Sequence, residues 1–252
     1  MREMFEEIEN SIRAGNGITR MFLDYDGTLV DLTTQPELAI PGQELLILLN
    51  NLKREIPLYL VTGRDLDSIL SLVGGGFNII AMHGSEFVDE SGRKEYIDNF
   101  EYYRQRTKEL SAKYSYLEKE FPNLRIIDKK GGLQFHYYNV DSKFVQDLER
   151  TISEIHEDGF ELYSGKYVYE LRVKGVNKGK AMLKFIGKED FILFAGDDTT
   201  DEEAFMALKG HVTIKIGGGD TSAAFRIDSP TEFKMFLSDL LEHKGGMLRD
   251  ER

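Results

Sequence analysis

The chain has 252 residues, 41% of them hydrophobic, and carries 32 Lys and Arg against 44 Asp and Glu, a formal net charge of −12. The acidic balance argues against nucleic acid or an anionic membrane as the main partner. No apolar run approaches the roughly 20 residues of a membrane helix, and the lack of cysteine excludes disulfides and thiolate chemistry.

Residues 1–10 are rich in Glu and lack the basic-then-apolar pattern of a signal peptide, so a cytoplasmic location is expected. The apolar run over 18–23 predicts a strand. A helical spacing follows over 43–54, a strand over 57–61, and a helix over 65–72 with Asp65 as its N-cap. Gly74-Gly75-Gly76 breaks that helix, and 78–82 reads as a third strand.

The middle of the chain changes character. A hairpin over 85–97 turns at Ser91-Gly92, and a long charged helix is expected over 99–121. Strands over 124–128 and 133–140 flank a Lys-Lys-Gly-Gly turn, and 141–156 reads as a helix. Segments 160–163 and 167–173 pair across Ser164-Gly165-Lys166. Alternation then resumes: helix 178–186, strand 191–195, helix 201–208, strand 212–216.

Alternation of this kind predicts a doubly wound α/β fold with a parallel sheet. The hairpins between its halves predict an inserted α+β domain. The expected boundaries are 1–84 and 171–252 for the core and 85–170 for the insert.

In a doubly wound sheet, ligands bind at the C-terminal ends of the strands. Four chemical elements fall there. Asp24-Tyr25-Asp26-Gly27-Thr28 follows Met21-Phe22-Leu23. Two carboxylates that close repel, so a hard divalent cation is the expected partner. One acid beside such an ion can attack phosphorus and the other can carry a proton. The plainer reading is an Asp-Gly turn.

Val61-Thr62-Gly63-Arg64 ends the next strand, where a hydroxyl and backbone N–H groups can hold a phosphate oxygen or merely form a strand-to-helix turn. Asn177-Lys178-Gly179-Lys180 opens a helix with positive charge, which the dipole disfavours. Lys178 is either a site cation or a solvated surface lysine. Gly196-Asp197-Asp198-Thr199-Thr200-Asp201-Glu202 puts four acids at another strand end, as metal ligands or as favourable charge at a helix start.

These motifs, in this order, resemble the haloacid dehalogenase-like phosphatase superfamily. Together with His83-Gly84-Ser85-Glu86, Tyr169-Glu170-Leu171-Arg172 and Val176-Asn177-Lys178-Gly179 they resemble its trehalose-6-phosphate phosphatase family. The resemblance implies a Mg²⁺-dependent phosphatase acting through an aspartyl-phosphate. Its implied catalytic residues are Asp24, Asp26, Thr62 and Lys178, and its implied metal residues Asp24, Asp26, Asp197, Asp198 and Asp201. Substrate contacts are implied for Gly63, Arg64, His83, Gly84, Glu86, Lys129 or Lys130, Lys166, Glu170, Arg172 and Asn177. The expected partner is a small phosphosugar bound by a monomer, with the inserted cap selecting the sugar. Two positions depart from the family pattern: Asp128 stands near the cap lysines where many members have Glu, and Tyr138 follows Tyr137 where many have Arg. Related phosphatases acting on mannosyl-3-phosphoglycerate or sucrose phosphate, a phosphomutase, and a non-catalytic sugar-phosphate binding protein are the alternatives.

Overall fold

A computed structural model describes residues 2–33, 38–165, 167–243 and 247–248. Contacts divide the chain into two compact units, Met1–Glu95 with Asn177–Arg252, and Tyr96–Val176.

The first unit opens with α1 (Arg2–Ala14), β1 (Arg20–Asp24), α2 (Gln43–Glu55), β2 (Leu58–Val61), α3 (Leu66–Val73), β3 (Asn78–Ala81), β4 (Glu86–Val88) and β5 (Lys94–Tyr96). The second unit contains α4 (Phe100–Tyr114), α5 (Leu117–Glu120), β6 (Arg125–Asp128), β7 (Leu133–His136), α6 (Ser142–Ser153), β8 (Phe160–Gly165) and β9 (Val168–Val173). The chain then returns through α7 (Lys178–Leu183), β10 (Ile192–Gly196), α8 (Thr199–Ala207), β11 (Val212–Ile216), β12 (Phe225–Ile227) and α9 (Pro230–Glu242).

The first unit is built on one sheet, ordered β12-β11-β10-β1-β2-β3-β4-β5. Its six strands from β12 to β3 run parallel, and β4 is antiparallel to β3. Alternate residues of each strand feed opposite cores, as a pleated strand covered on both faces requires. Met21 and Leu23 of β1 join Phe5, Ile8 and Ile12 of α1 and Phe233, Phe236 and Leu237 of α9. Phe22, between them, joins Phe194 with Ala181, Met182 and Phe205 of α7 and α8. Burying a side chain such as Phe22 contributes about 1.5–3 kcal/mol. Among the described residues no helix is long and apolar enough to cross a membrane.

The second unit is a four-stranded antiparallel sheet, β6-β7-β9-β8. Leu133 and Phe135 of β7 and Leu171 and Val173 of β9 pack against Leu110 and Tyr114 of α4 and Leu148 and Ile152 of α6. Glu157 ties the unit together: it accepts from Arg106, Lys113 and Tyr114 at 3.0, 2.6 and 2.6 Å.

Several bounds differ from the sequence reading. The first unit runs past residue 84, because β4 stays paired to β3, and the second runs to Val176, because β9 continues beyond Glu170. The long helix expected over 99–121 is two helices, α4 and α5. The strand expected over 133–140 stops at His136, and the helix expected from Asp201 starts at Thr199. The sequence reading assigned no element to α1, β12 or α9.

At the opposite end of the sheet from the strand C-termini, Asp190 accepts from Thr19 Oγ1 at 2.8 Å, Arg20 Nε at 2.5 Å and Gly187 N–H at 2.6 Å. Burial opposes its charge, but these donors win and hold its pKa below the usual carboxylate range. A depressed folded pKa stabilises the fold above the unfolded value of about 3.9, and the gain disappears as pH falls through the folded value. Asp190→Asn is therefore expected to reduce unfolding free energy by about 1–3 kcal/mol at neutral pH. Urea titrations should show the two proteins converging in acid.

Candidate active site

Leaving β1, the chain crosses to β2 on one side, while β10 lies on the other. This reversal opens a crevice at the strand C-termini. Asp24 is the last residue of β1, Thr62 follows β2, and Asp197 follows β10. The register Leu23↔Ala195 and Asp24↔Val61 sets the three side by side. Lys178 arrives as the first residue of α7, whose N-cap is Asn177, accepting from Lys180 N–H at 2.8 Å.

Lys178 is 3% exposed, and its ammonium donates to Asp24 Oδ1 at 2.7 Å and to Asp201 Oδ1 at 2.8 Å. Burial opposes that charge, yet Asp201 and Asp24 hold the ammonium protonated, with its pKa above the usual lysine value. Burial pushes Asp24 above the usual carboxylate range, in opposition to Lys178, and Asp201 and Asp197 add repulsion.

Carboxylate oxygens of Asp24, Asp197 and Asp201 lie within 4.8 Å of one another. Asp201 is fully engaged, since its Oδ1 takes Lys178 and its Oδ2 takes the Asp197 and Asp198 amides at 3.0 and 3.1 Å. Burial and the neighbouring Asp198 and Asp201 push Asp197 up to about 7. Asp198 goes the other way: burial opposes its charge, but Lys178 and Thr200 hold it at about 2. Its carboxylate caps α8, accepting from Thr200 N–H at 2.7 Å and from the Thr200 hydroxyl at 2.6 Å.

Two glycines make the close approach feasible. Gly27 has φ +82°, and a Cβ there would sit 2.1 Å from Asp197 Oδ2. A Cβ on Gly196 would sit 2.3 Å from Asp201 Cγ.

Asp26 is held by Arg64 in a two-pronged ion pair, Nε to Oδ2 at 2.7 Å and Nη2 to Oδ1 at 2.6 Å. The sequence reading placed Arg64 on substrate; here it orients the second carboxylate of the Asp-x-Asp pair. The guanidinium also lies over the ring of Tyr25, whose hydroxyl donates to Ala39 carbonyl at 2.8 Å. Thr62 is buried, and its Oγ1 accepts from Arg64 N–H at 3.1 Å. His83, at φ +56°, packs against Gly63, where a Cβ would meet its ring at 2.6 Å. Gly84 follows at φ +114°. Glu86 is buried and accepts from Leu66 N–H at 2.6 Å, while Asp65 caps α3 through Ser68 as its sequence position predicts.

Lys129, Lys130, Glu170 and Arg172 belong to the second unit. Lys129 and Lys130 sit at the β6–β7 turn, Lys130 at φ +58°. Arg172 donates to Glu170 Oε2 from Nε and Nη2 at 2.9 and 2.8 Å and lies 4.5 Å from the Tyr163 ring. The two share one strand and one face, and Glu170 is 4% exposed, so the pair is a largely buried one. Lys166 lies outside the described residues.

Lys215 escaped the sequence reading. It donates to the Asp197 carbonyl from β11 and is buried. Its signal was a lone cation in the otherwise uncharged run Val212-Thr213-Ile214-Lys215-Ile216.

A family model described as trehalose-phosphatase matches residues 22–231. The chain belongs to that family. It is 35% identical over 224 residues to the trehalose-6-phosphate phosphatase-related protein of Thermoplasma acidophilum, covering 86% of this chain and 94% of that one. A crystal structure of a trehalose-6-phosphate phosphatase related protein matches with a TM-score of 0.82 at 33% identity, covering 90% of this chain and 98% of the other. The bifunctional trehalose-6-phosphate synthase/phosphatase of Thermoproteus tenax is 31% identical over 232 residues, spanning 87% of this chain but 31% of its own length. As a trehalose-phosphatase family member, the chain is a phosphatase built on an α/β fold with a mostly parallel sheet.

Proposed function

We propose that this chain hydrolyses trehalose 6-phosphate to trehalose and phosphate, with Asp24 as the nucleophile. The observation that carries the reading is Asp24 itself: buried at a strand end, held on Oδ1 by Lys178, and facing Asp197. Its other oxygen, Oδ2, is buried with no hydrogen-bond partner among the described residues. An orphaned carboxylate oxygen beside a second carboxylate fits a hard, oxygen-seeking cation. Asp24, Asp197 and the Asp26 carbonyl would hold Mg²⁺. Bound there, Mg²⁺ would neutralise charge and polarise a phosphoryl oxygen.

The residues then divide the chemistry. Asp24 attacks phosphorus, forming a carboxyl–phosphate bond as the bond to the sugar oxygen breaks. Asp26 protonates that oxygen and later takes a proton from the water that cleaves the aspartyl-phosphate, releasing phosphate and restoring Asp24. Lys178 and the Thr62 hydroxyl complement the phosphoryl oxygens in the transition state. Arg64 sets where the Asp26 carboxyl points. Asp201 orients Lys178 and the Asp197 backbone, and Asp198 acts through the α8 cap. The second unit supplies sugar selectivity through Glu170, Arg172 and Lys129 or Lys130, whose charges suit a ligand rich in hydroxyls.

A panel of phosphorylated sugars, assayed by phosphate release with Mg²⁺, tests the reading. Trehalose 6-phosphate should be the preferred substrate over glucose 6-phosphate, sucrose phosphate and mannosyl-3-phosphoglycerate. Turnover of trehalose 6-phosphate no faster than of glucose 6-phosphate would sink it. EDTA should stop the reaction and added Mg²⁺ restore it.

Glu170→Ala is expected to raise KM for trehalose 6-phosphate about tenfold or more, the scale of a lost charged hydrogen bond. KM for p-nitrophenyl phosphate, which has no sugar, should stay unchanged. Equal effects on both would remove Glu170 from sugar recognition.

A further inference from the structure

Burying a lysine strips its ammonium of water, which is unfavourable unless the surroundings provide acceptors. Lys215 is 5% exposed, yet it interrupts a strand whose other residues are Val212, Thr213, Ile214 and Ile216. Val212, Ile214 and Ile216 join the core shared with α1 and α9. Lys215 alternates with them and so points to the other face.

The strand register places Lys215 opposite Gly196, the residue before Asp197. From there its ammonium reaches the Asp197 carbonyl. Its charge is met by Glu202 of α8, whose Oε1 lies 3.8 Å from Nζ and has no hydrogen-bond partner among the described residues. Glu202 Oε2 accepts from Ser222 N–H at 2.7 Å, which holds that carboxylate in place.

We infer that Lys215 is a positioning residue for the cation site: by fixing the Asp197 carbonyl from below, it aims the Asp197 carboxylate at Asp24. The two peptide groups flanking the Asp197 Cα are then both held, the N–H by Asp201 Oδ2 and the C=O by Lys215. A ligand carboxylate held by a supporting shell loses less freedom when a cation binds, and such supporting contacts are worth about 10–100-fold in metal affinity. Glu202 offsets the ammonium, and exchanging both for neutral residues separates the hydrogen bond from the charge that Lys215 also exerts on Asp197. A bare lysine pointing at the ligand oxygens would instead repel a cation.

The inference rests on the Mg²⁺ reading above, and one experiment separates the two. Mg²⁺ is titrated calorimetrically into the whole chain without substrate, for the wild type and for Lys215→Met combined with Glu202→Gln, which removes the hydrogen bond while leaving the local charge balance unchanged. Thermal melting without metal is measured on both. The expected result is a dissociation constant about tenfold larger in the double variant. Wild-type binding with a variant constant within about twofold of it overturns the positioning role, whatever happens to the melting temperature, since a purely structural lysine would move only the latter. A wild type that takes up no Mg²⁺ overturns the metal reading itself, and this inference with it. Should the Met variant not fold, Lys215→Leu with Glu202→Gln, which also lacks a donor at position 215, is read in the same way.

Discussion

Asp24→Asn is expected to lower kcat for trehalose 6-phosphate by about 10⁴-fold or more, the scale seen when a covalent nucleophile is removed. The amide has the size of the carboxylate and can still accept from Lys178 through its oxygen, so the site keeps its shape. What it loses is a nucleophilic oxygen anion. Stability should change little or rise, because burial already disfavours the Asp24 charge. The check is phosphate release at saturating substrate and Mg²⁺ beside a thermal melt. Near-normal turnover would show that another residue attacks phosphorus.

Lys178→Met should damage both rate and fold. The methionine keeps the length and removes the ammonium. Asp24 and Asp201 then lose the cation that each accepts from at 2.7 and 2.8 Å, inside a site where both are buried. Removing one partner of such a network is expected to cost about 3–5 kcal/mol, because the remaining charges stay buried without compensation. Loss of a transition-state donor should lower kcat by a further factor of about 10²–10³. Denaturant titration and steady-state kinetics measure the two effects separately. The pair Asp24→Asn with Lys178→Met gives a sharper test, since neutralising Asp24 removes part of the repulsion. That double variant should recover part of the stability lost by Lys178→Met while staying inactive. A double variant less stable than the single would contradict the charge argument.

The parallel sheet was legible because its strands are short apolar runs, and each of the chemical acids stands where such a run ends. Phe191 to Ala195 followed by Gly-Asp-Asp is an example: the strand and the charged end are both visible in the residues. The inserted unit was legible too, because hairpins replaced the strand–helix alternation. Its edges were less so. Whether Glu86 to Val88 belongs to one unit or the other depends on β4 pairing with β3, which no local pattern records.

Within the acidic cluster, residue type alone could not distribute the roles. Asp197, Asp198 and Asp201 are equivalent as letters. The start of α8 separates them: Asp198 falls at the N-cap and turns its Oδ1 to Thr200, Asp201 falls three residues on and reaches back to the backbone, and Asp197 is left facing Asp24. Arg64 shows the same limit from the other side, since a guanidinium beside Thr62 suits a phosphate equally well until Asp26 is seen to take both its prongs.

By itself, then, the sequence determined the class of fold, the family and the set of groups available for phosphoryl transfer, because those depend on residue type and on where apolar runs stop. Only the tertiary structure decided which groups meet. Lys178 finds Asp24 across 154 residues, Arg64 finds Asp26 across 38, and Lys215 finds the Asp197 carbonyl across 18. Each pairing follows from strand order and helix register, in which a shift of one residue turns a side chain to the opposite face.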